Sequence, residues 1–190
     1  LSLLLTLLLV LSLMPLSAIS AYAAEAPVLN ADGYYEIESY DDLCWYRDKV
    51  NSGSTSINAI LMNDIVINEN VLDADGNLNS GTFPQWDEIG DRFDGPTLVG
   101  FHGIFDGNGK TISGVYNTFS QGGFFRQNYG TIKNLNIVDS YFRCSSFCGN
   151  TNYGTIINCS SSATINGDGG CGGFSQYNGG TIESCTFTGK

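Results

Sequence analysis

The chain has 190 residues, 8 of them basic and 19 acidic, for a formal net charge of −11. That balance argues against nucleic acid and anionic membrane surfaces as partners. Charged residues are only 14% while glycine fills 24 positions, which suits a chain of turns and short strands better than one of long helices.

Residues 1–23 are almost wholly apolar, with Pro15 interrupting the run and Ala21-Tyr22-Ala23 offering small residues at a cleavage site. This reads as a secretory signal peptide cut after Ala23, in preference to a membrane anchor, and it places the remainder outside the cytoplasm. No basic leader or initiating Met precedes it, so the gene is expected to begin upstream. Residues 24–33 read as a linker. Tyr34-Tyr35-Glu36-Ile37 reads as a first strand. Ser39 then has the character of a helix N-cap with Asp42 three residues on, and Leu43, Tyr46 and Val50 share one face. A short amphipathic helix over Tyr40 to Asn51, stopped by Gly53, is expected to cover the open end of whatever follows. Trp45 is assigned to the core, with sugar stacking as the alternative.

Ala59 to Ile67 reads as strand, Asn-Asp corner, strand. Glu69 to Gln85 is irregular and contains Asp73, Asp75 and Asn77, oxygen ligands at alternate positions that suggest calcium. The EF-hand spacing then puts Leu78 and Pro84 where glycine and glutamate belong, so a polar surface excursion is the preferred reading. Trp86 to Gly90 and Phe101 to Ile112 are apolar runs, with Asp91 to Thr97 as a loop and Asp106-Gly107-Asn108-Gly109 as a tight turn.

The last third repeats itself. Gly122 to Leu135 reads GGFFRQNYGTIKNL, Ser146 to Cys159 reads SFCGNTNYGTIINC, and Gly172 to Cys185 reads GGFSQYNGGTIESC. The Gly-Thr-Ile anchors fall at Gly130, Gly154 and Gly180, spacings of 24 and 26 residues. A period of this length without a helical run predicts short strands winding into a parallel β-helix, with like residues stacked coil on coil. Ile132, Ile156 and Ile182 are the first expected inward column. Leu135, Cys159 and Cys185 form the second, and Phe124, Cys148 and Phe174 the third. Asn128, Asn152 and Asn178 mark a corner at which a left-handed turn is expected. Thr131, Thr155 and Thr181 point outward; a ladder facing ice or glycan is weighed against ordinary β-propensity, and the latter is preferred.

The pattern GGF-x-x-x-N-x-GTI-x-[NS]-C, carried best by the third copy, resembles the GLUG-type repeat of bacterial cell-surface proteins. The first two copies depart from it at Phe125 and at Phe147-Cys148-Gly149. The lead-in from the helix to Ile112 looks like the segment that precedes such repeats in exported proteins of Gram-positive gut bacteria. The resemblance implies an all-β fold, a right-handed parallel β-helix (solenoid) with a short N-terminal capping helix. Residues 34–121 would form the cap and first rungs, and residues 122–190 the repeat rungs, ending part-way through a coil with more chain expected beyond.

Six cysteines in an exported chain make disulfides available. Cys159 and Cys185, one rung apart at the same position, are the disulfide candidate. Cys144, Cys148 and Cys171 lie near neighbouring corners, and which of them face each other is left open. Cys44 stands apart. No Cys-x-x-Cys occurs, which disfavours zinc, and no cofactor is implied. His102 is the only histidine and has no supporting motif. The acids of the repeats (Asp139, Asp168, Glu183) and their bases (Arg126, Lys133, Arg143, Lys190) fall at different repeat positions, so no catalytic constellation is visible and the chain reads as non-enzymatic. The expected function is that of a secreted or cell-surface module for adhesion or scaffolding, with host or dietary glycan or glycoprotein as partner. The alternative is the non-catalytic front of a carbohydrate-active enzyme or surface peptidase.

Overall fold

The structure is a computed structural model that describes residues 25–190 except 92, 95, 96 and 168; the expected signal peptide lies outside the described residues. Strand β1 (Tyr34–Ile37) opens the fold and helix α1 (Tyr40–Asn51) follows at the expected bounds. Ser39 Oγ accepts from the Asp42 N–H at 3.2 Å, and the Asp42 carboxylate accepts from Ser39 Oγ at 2.8 Å and from the Glu38 N–H at 3.1 Å. Leu43, Tyr46 and Val50 are buried, and the Tyr46 ring tilts against Phe105 at 5.8 Å. The helix thus closes the N-terminal end of the core, and its amphipathic spacing is the reason. Trp45 rests on Tyr35 at 5.0 Å as part of the same cover.

From there the chain coils. The third coil runs through β6 (Ile104–Asp106), β7 (Thr111–Ser113), β8 (Tyr116–Asn117) and β9 (Phe125–Asn128). The fourth repeats it as β10 (Thr131–Lys133), β11 (Asn136–Val138), β12 (Tyr141–Phe142) and β13 (Cys148–Asn152). The fifth does so as β14 (Thr155–Ile157), β15 (Ser160–Ser161), β16 (Thr164–Ile165) and β17 (Ser175–Asn178). With β1 as the first coil, β2 (Asn58–Leu61) and β3 (Ile65–Val66) as the second, and β18 (Thr181–Glu183) and β19 (Thr186–Phe187) as the sixth, the strands form four parallel sheets of six, five, three and three strands. The protein is a parallel β-solenoid of about six turns. Between its second and third coils, β4 (Phe93–Asp94) and β5 (Thr97–Leu98) pair antiparallel where a loop was expected.

The register agrees with the first inward column. Ala59, Phe105, Ile132, Ile156 and Ile182 are successive partners, buried down to Ile156 and partly buried at Ile182. Leu135, Cys159 and Cys185 also follow one another, each one residue before the register-matched Asn136, Ser160 and Thr186. The third column differs from expectation. Cys148 is opposite Phe125 and Ser175, so the stacked set is Phe124, Phe147 and Phe174, with the Phe147 and Phe174 rings 5.0 Å apart. The cause is a β-bulge: Gly149 and Asn150 occupy the space that Arg126 or Gln176 fills alone in the adjacent coils. Counting back from the Gly-Thr-Ile anchor therefore lands one residue off in the middle copy.

The asparagine corner is also corrected. Asn128, Asn152 and Asn178 end extended strands, and their amides form a ladder: Asn128 Nδ2 donates to Asn152 Oδ1 and Asn152 Nδ2 to Asn178 Oδ1, each at 2.7 Å. The left-handed conformation falls instead on Asn108, Asn134, Asn158 and Ser184, all with φ between 52° and 54°. Those residues turn the chain from the six-stranded sheet into the next one.

Candidate binding face and the chemistry around it

The local rule that builds the surface is written in the residues before each Thr-Ile. In Asn128-Tyr129-Gly130 and Asn152-Tyr153-Gly154 the asparagine is held inward by its amide ladder. The glycine cannot be replaced by anything with a Cβ, because a Cβ on Gly130, Gly154 or Gly180 would lie 2.1 Å from the carbonyl oxygen of Gly103, Gly130 or Gly154 respectively. The residue between them has nowhere to go but outward. In successive coils that residue is His102, Tyr129, Tyr153 and Gly179.

The result is an exposed stack of rings along one corner. His102 lies on Tyr129 at 4.8 Å and 6°, and Tyr129 on Tyr153 at 5.1 Å and 18°. Tyr129 is 41% exposed and Tyr153 52%. The spacing matches the rise between coils, so the stack is a product of the solenoid itself. Neighbouring rings share their faces, which leaves ring edges and phenol groups toward solvent. Two residues further along, Thr131, Thr155 and Thr181 stand in register on the outer side of the six-stranded sheet. Next to them, in the same sheet, Lys133 Nζ pairs with Asp106 at 3.0 Å. The whole forms a flat strip of phenol, hydroxyl and one ion pair. His102 sits at its upper end with a ring nitrogen 3.0 Å from the Val99 carbonyl oxygen.

The other expected sites resolve differently. Asp73 turns its carboxylate inward, accepting from the Asp75 N–H at 2.9 Å, the Asn77 N–H at 2.8 Å and the Asn77 side-chain amide at 3.2 Å. These bonds hold its pKa below the usual carboxylate range and make the stretch a closed turn. Among the described residues no three His, Cys, Asp or Glu side chains gather as a metal site, at Asp73 and Asp75 or elsewhere. Cys159 and Cys185 stack on adjacent coils, and all six cysteines are free thiols.

One charged group was not anticipated. Glu88 is 2% exposed, and it accepts from Arg126 at 3.1 Å and from the Gly123 N–H at 2.8 Å. Burial pushes its pKa up to about 7, against the pull of Arg126. Arg126 in turn donates to Gln121, which also accepts from Asn150 of the bulge. The pair is largely buried, with the Asp91 carboxylate near enough to add to the upward push on Glu88. It serves to tie the Trp86–Gly90 segment to β9. The available signal was parity: Glu88 is two residues from Trp86 and takes the same inward side.

No protein-family model, curated protein or solved structure matches this chain. Among the described residues no helix is long and apolar enough to cross a membrane.

Proposed function

We propose that this chain is a binding module of an exported or cell-surface protein, using the outer strip of its solenoid to hold host or dietary glycan or glycoprotein. The observation that carries the reading is the exposed His102–Tyr129–Tyr153 stack running beside the Thr131–Thr155–Thr181 column. A straight row of phenols and hydroxyls repeating at the coil rise suits an extended, hydroxyl-rich polymer better than a compact ligand. An acidic chain is consistent with a neutral partner. The GLUG-type resemblance points the same way, toward adhesion or scaffolding.

The test is a glycan array probed with residues 24–190, followed by affinity electrophoresis in the polysaccharides that score. Tyr129→Ala and Tyr153→Ala together are expected to weaken binding about tenfold or more, since each exposed ring contributes on the order of 1 kcal/mol. The far-ultraviolet spectrum should stay unchanged, because both rings lie outside the core. Silence across host and plant glycans, or full binding by the double variant, would remove the proposal.

A further inference from the structure

The sequence left Cys144, Cys148 and Cys171 unpaired in register; the structure supplies the register. Cys144 lies between β12 and β13 in the fourth coil, and Cys171 lies between β16 and β17 in the fifth. Ser145 and Gly172, the next residues, form a parallel bridge, and the Gly172 N–H donates to the Cys144 carbonyl at 3.2 Å. The two cysteines are therefore stacked partners on adjacent coils, at a Cα spacing of about 4.8 Å that lies within the range a disulfide spans. Gly167 leaves room for the Cys171 sulfur, which a Cβ there would approach to 2.5 Å.

The two ends differ in access. Cys171 is exposed while Cys144 is buried. Such asymmetry suits disulfide exchange, with an entry thiol at the surface and a resolving thiol beneath it. Cys159 and Cys185 share the register logic but not the access. Cys159 is buried and Cys185 is half-buried, so that pair has no fully exposed entry thiol. Cys148 is wholly buried.

We propose that Cys144 and Cys171 are a redox pair that closes to a disulfide joining the fourth and fifth coils. The oxidant is a disulfide of the surroundings. The Cys171 thiolate attacks one of its sulfurs, forming a mixed disulfide and releasing one thiol. The Cys144 thiol gives up its proton and attacks the Cys171 sulfur, expelling the second thiol. Two protein thiols and one disulfide become one protein disulfide and two thiols. The closed bond fastens the part of the fifth coil that holds Cys171, ahead of β17, to the neighbouring corner of the fourth coil. The inference is independent of what the outer strip binds.

The experiment incubates the reduced chain with oxidised glutathione, blocks remaining thiols and digests with chymotrypsin, which cuts after Phe142, Phe147, Tyr153 and Phe174. The expected product is fragment 143–147 linked to fragment 154–174, with fragmentation placing the bond on Cys171. The oxidised chain should melt about 5–10 °C higher than the reduced one. Cys171→Ser should keep the reduced chain's spectrum and lose both the link and the shift. A glutathione adduct left on Cys171 beside a free Cys144, or a bond from Cys171 to any other cysteine, would overturn the assignment.

Discussion

At the level of single residues, two kinds of glycine are separable. Gly154 has ordinary φ but no room, its missing Cβ falling 2.1 Å from the Gly130 carbonyl oxygen. Gly109 has ample room but φ of +73°. Gly154→Ala must therefore spread two coils, at a cost of roughly 3 kcal/mol, whereas Gly109→Ala bears only the left-handed penalty of about 1–2 kcal/mol. Urea unfolding of the two variants checks the order, and equal costs would contradict it. Asn152 is the middle of the amide ladder, donating to one neighbour and accepting from the other. Asn152→Ala leaves the buried Asn128 amide short of an acceptor and is expected to cost about 2–4 kcal/mol, read by the same measurement. The asparagine column was visible in the sequence from its spacing. Its role was not, because spacing says which residues stack and not whether the backbone or the side chain does the turning.

At the level of elements, the segment Trp86–Gly90 is held by groups that titrate. Glu88 has a folded pKa near 7, above its ordinary 4.5, because burial disfavours its charge. Between those values the folded protein binds more protons than the unfolded one, so this group's contribution to stability falls as pH rises from about 4.5 to 7. Asp106 acts in the opposite sense. Burial pushes it up, but bonds from Asn134, Asn108 and Lys133 outweigh that and hold it low, so its contribution is lost as pH falls. Comparing Glu88→Gln with the parent isolates the first effect. The variant should lose a fall in stability on the order of 2 kcal/mol across that window, followed by denaturant midpoints at successive pH values. Unchanged slopes would show that Arg126 keeps Glu88 ionised throughout. Helix α1 was legible to the residue because cap, face and stop all agree. The segment around Glu88 was legible only as strand-like, since a buried acid is recognised by its partner and Arg126 is 38 positions away. The same holds for the bulge in β13. One extra residue leaves the Gly-Thr-Ile spacing between the first two copies at 24, because compensation elsewhere in the coil hides it.

At the level of the whole molecule, the solenoid was the most legible feature, since three near-copies state it three times. The ring stack was the least. Tyr129 and Tyr153 look like two unremarked aromatics, and His102 like a stray histidine, until the coils place them on one corner. Nothing in the chain near His102 repeats the Asn-Tyr-Gly string, so the match appears only once Phe101 is seen paired with Asn128. The constant register has a mechanical side as well. Every coil from the fourth to the sixth leans mainly on the one before it, through partners 23 to 27 residues back. Tension on the C-terminal end would strip the stack one layer at a time, each event releasing about 80–90 Å of slack. A bond between Cys144 and Cys171 would stop that unravelling midway, turning a chain that peels under load into one with a fixed breaking point.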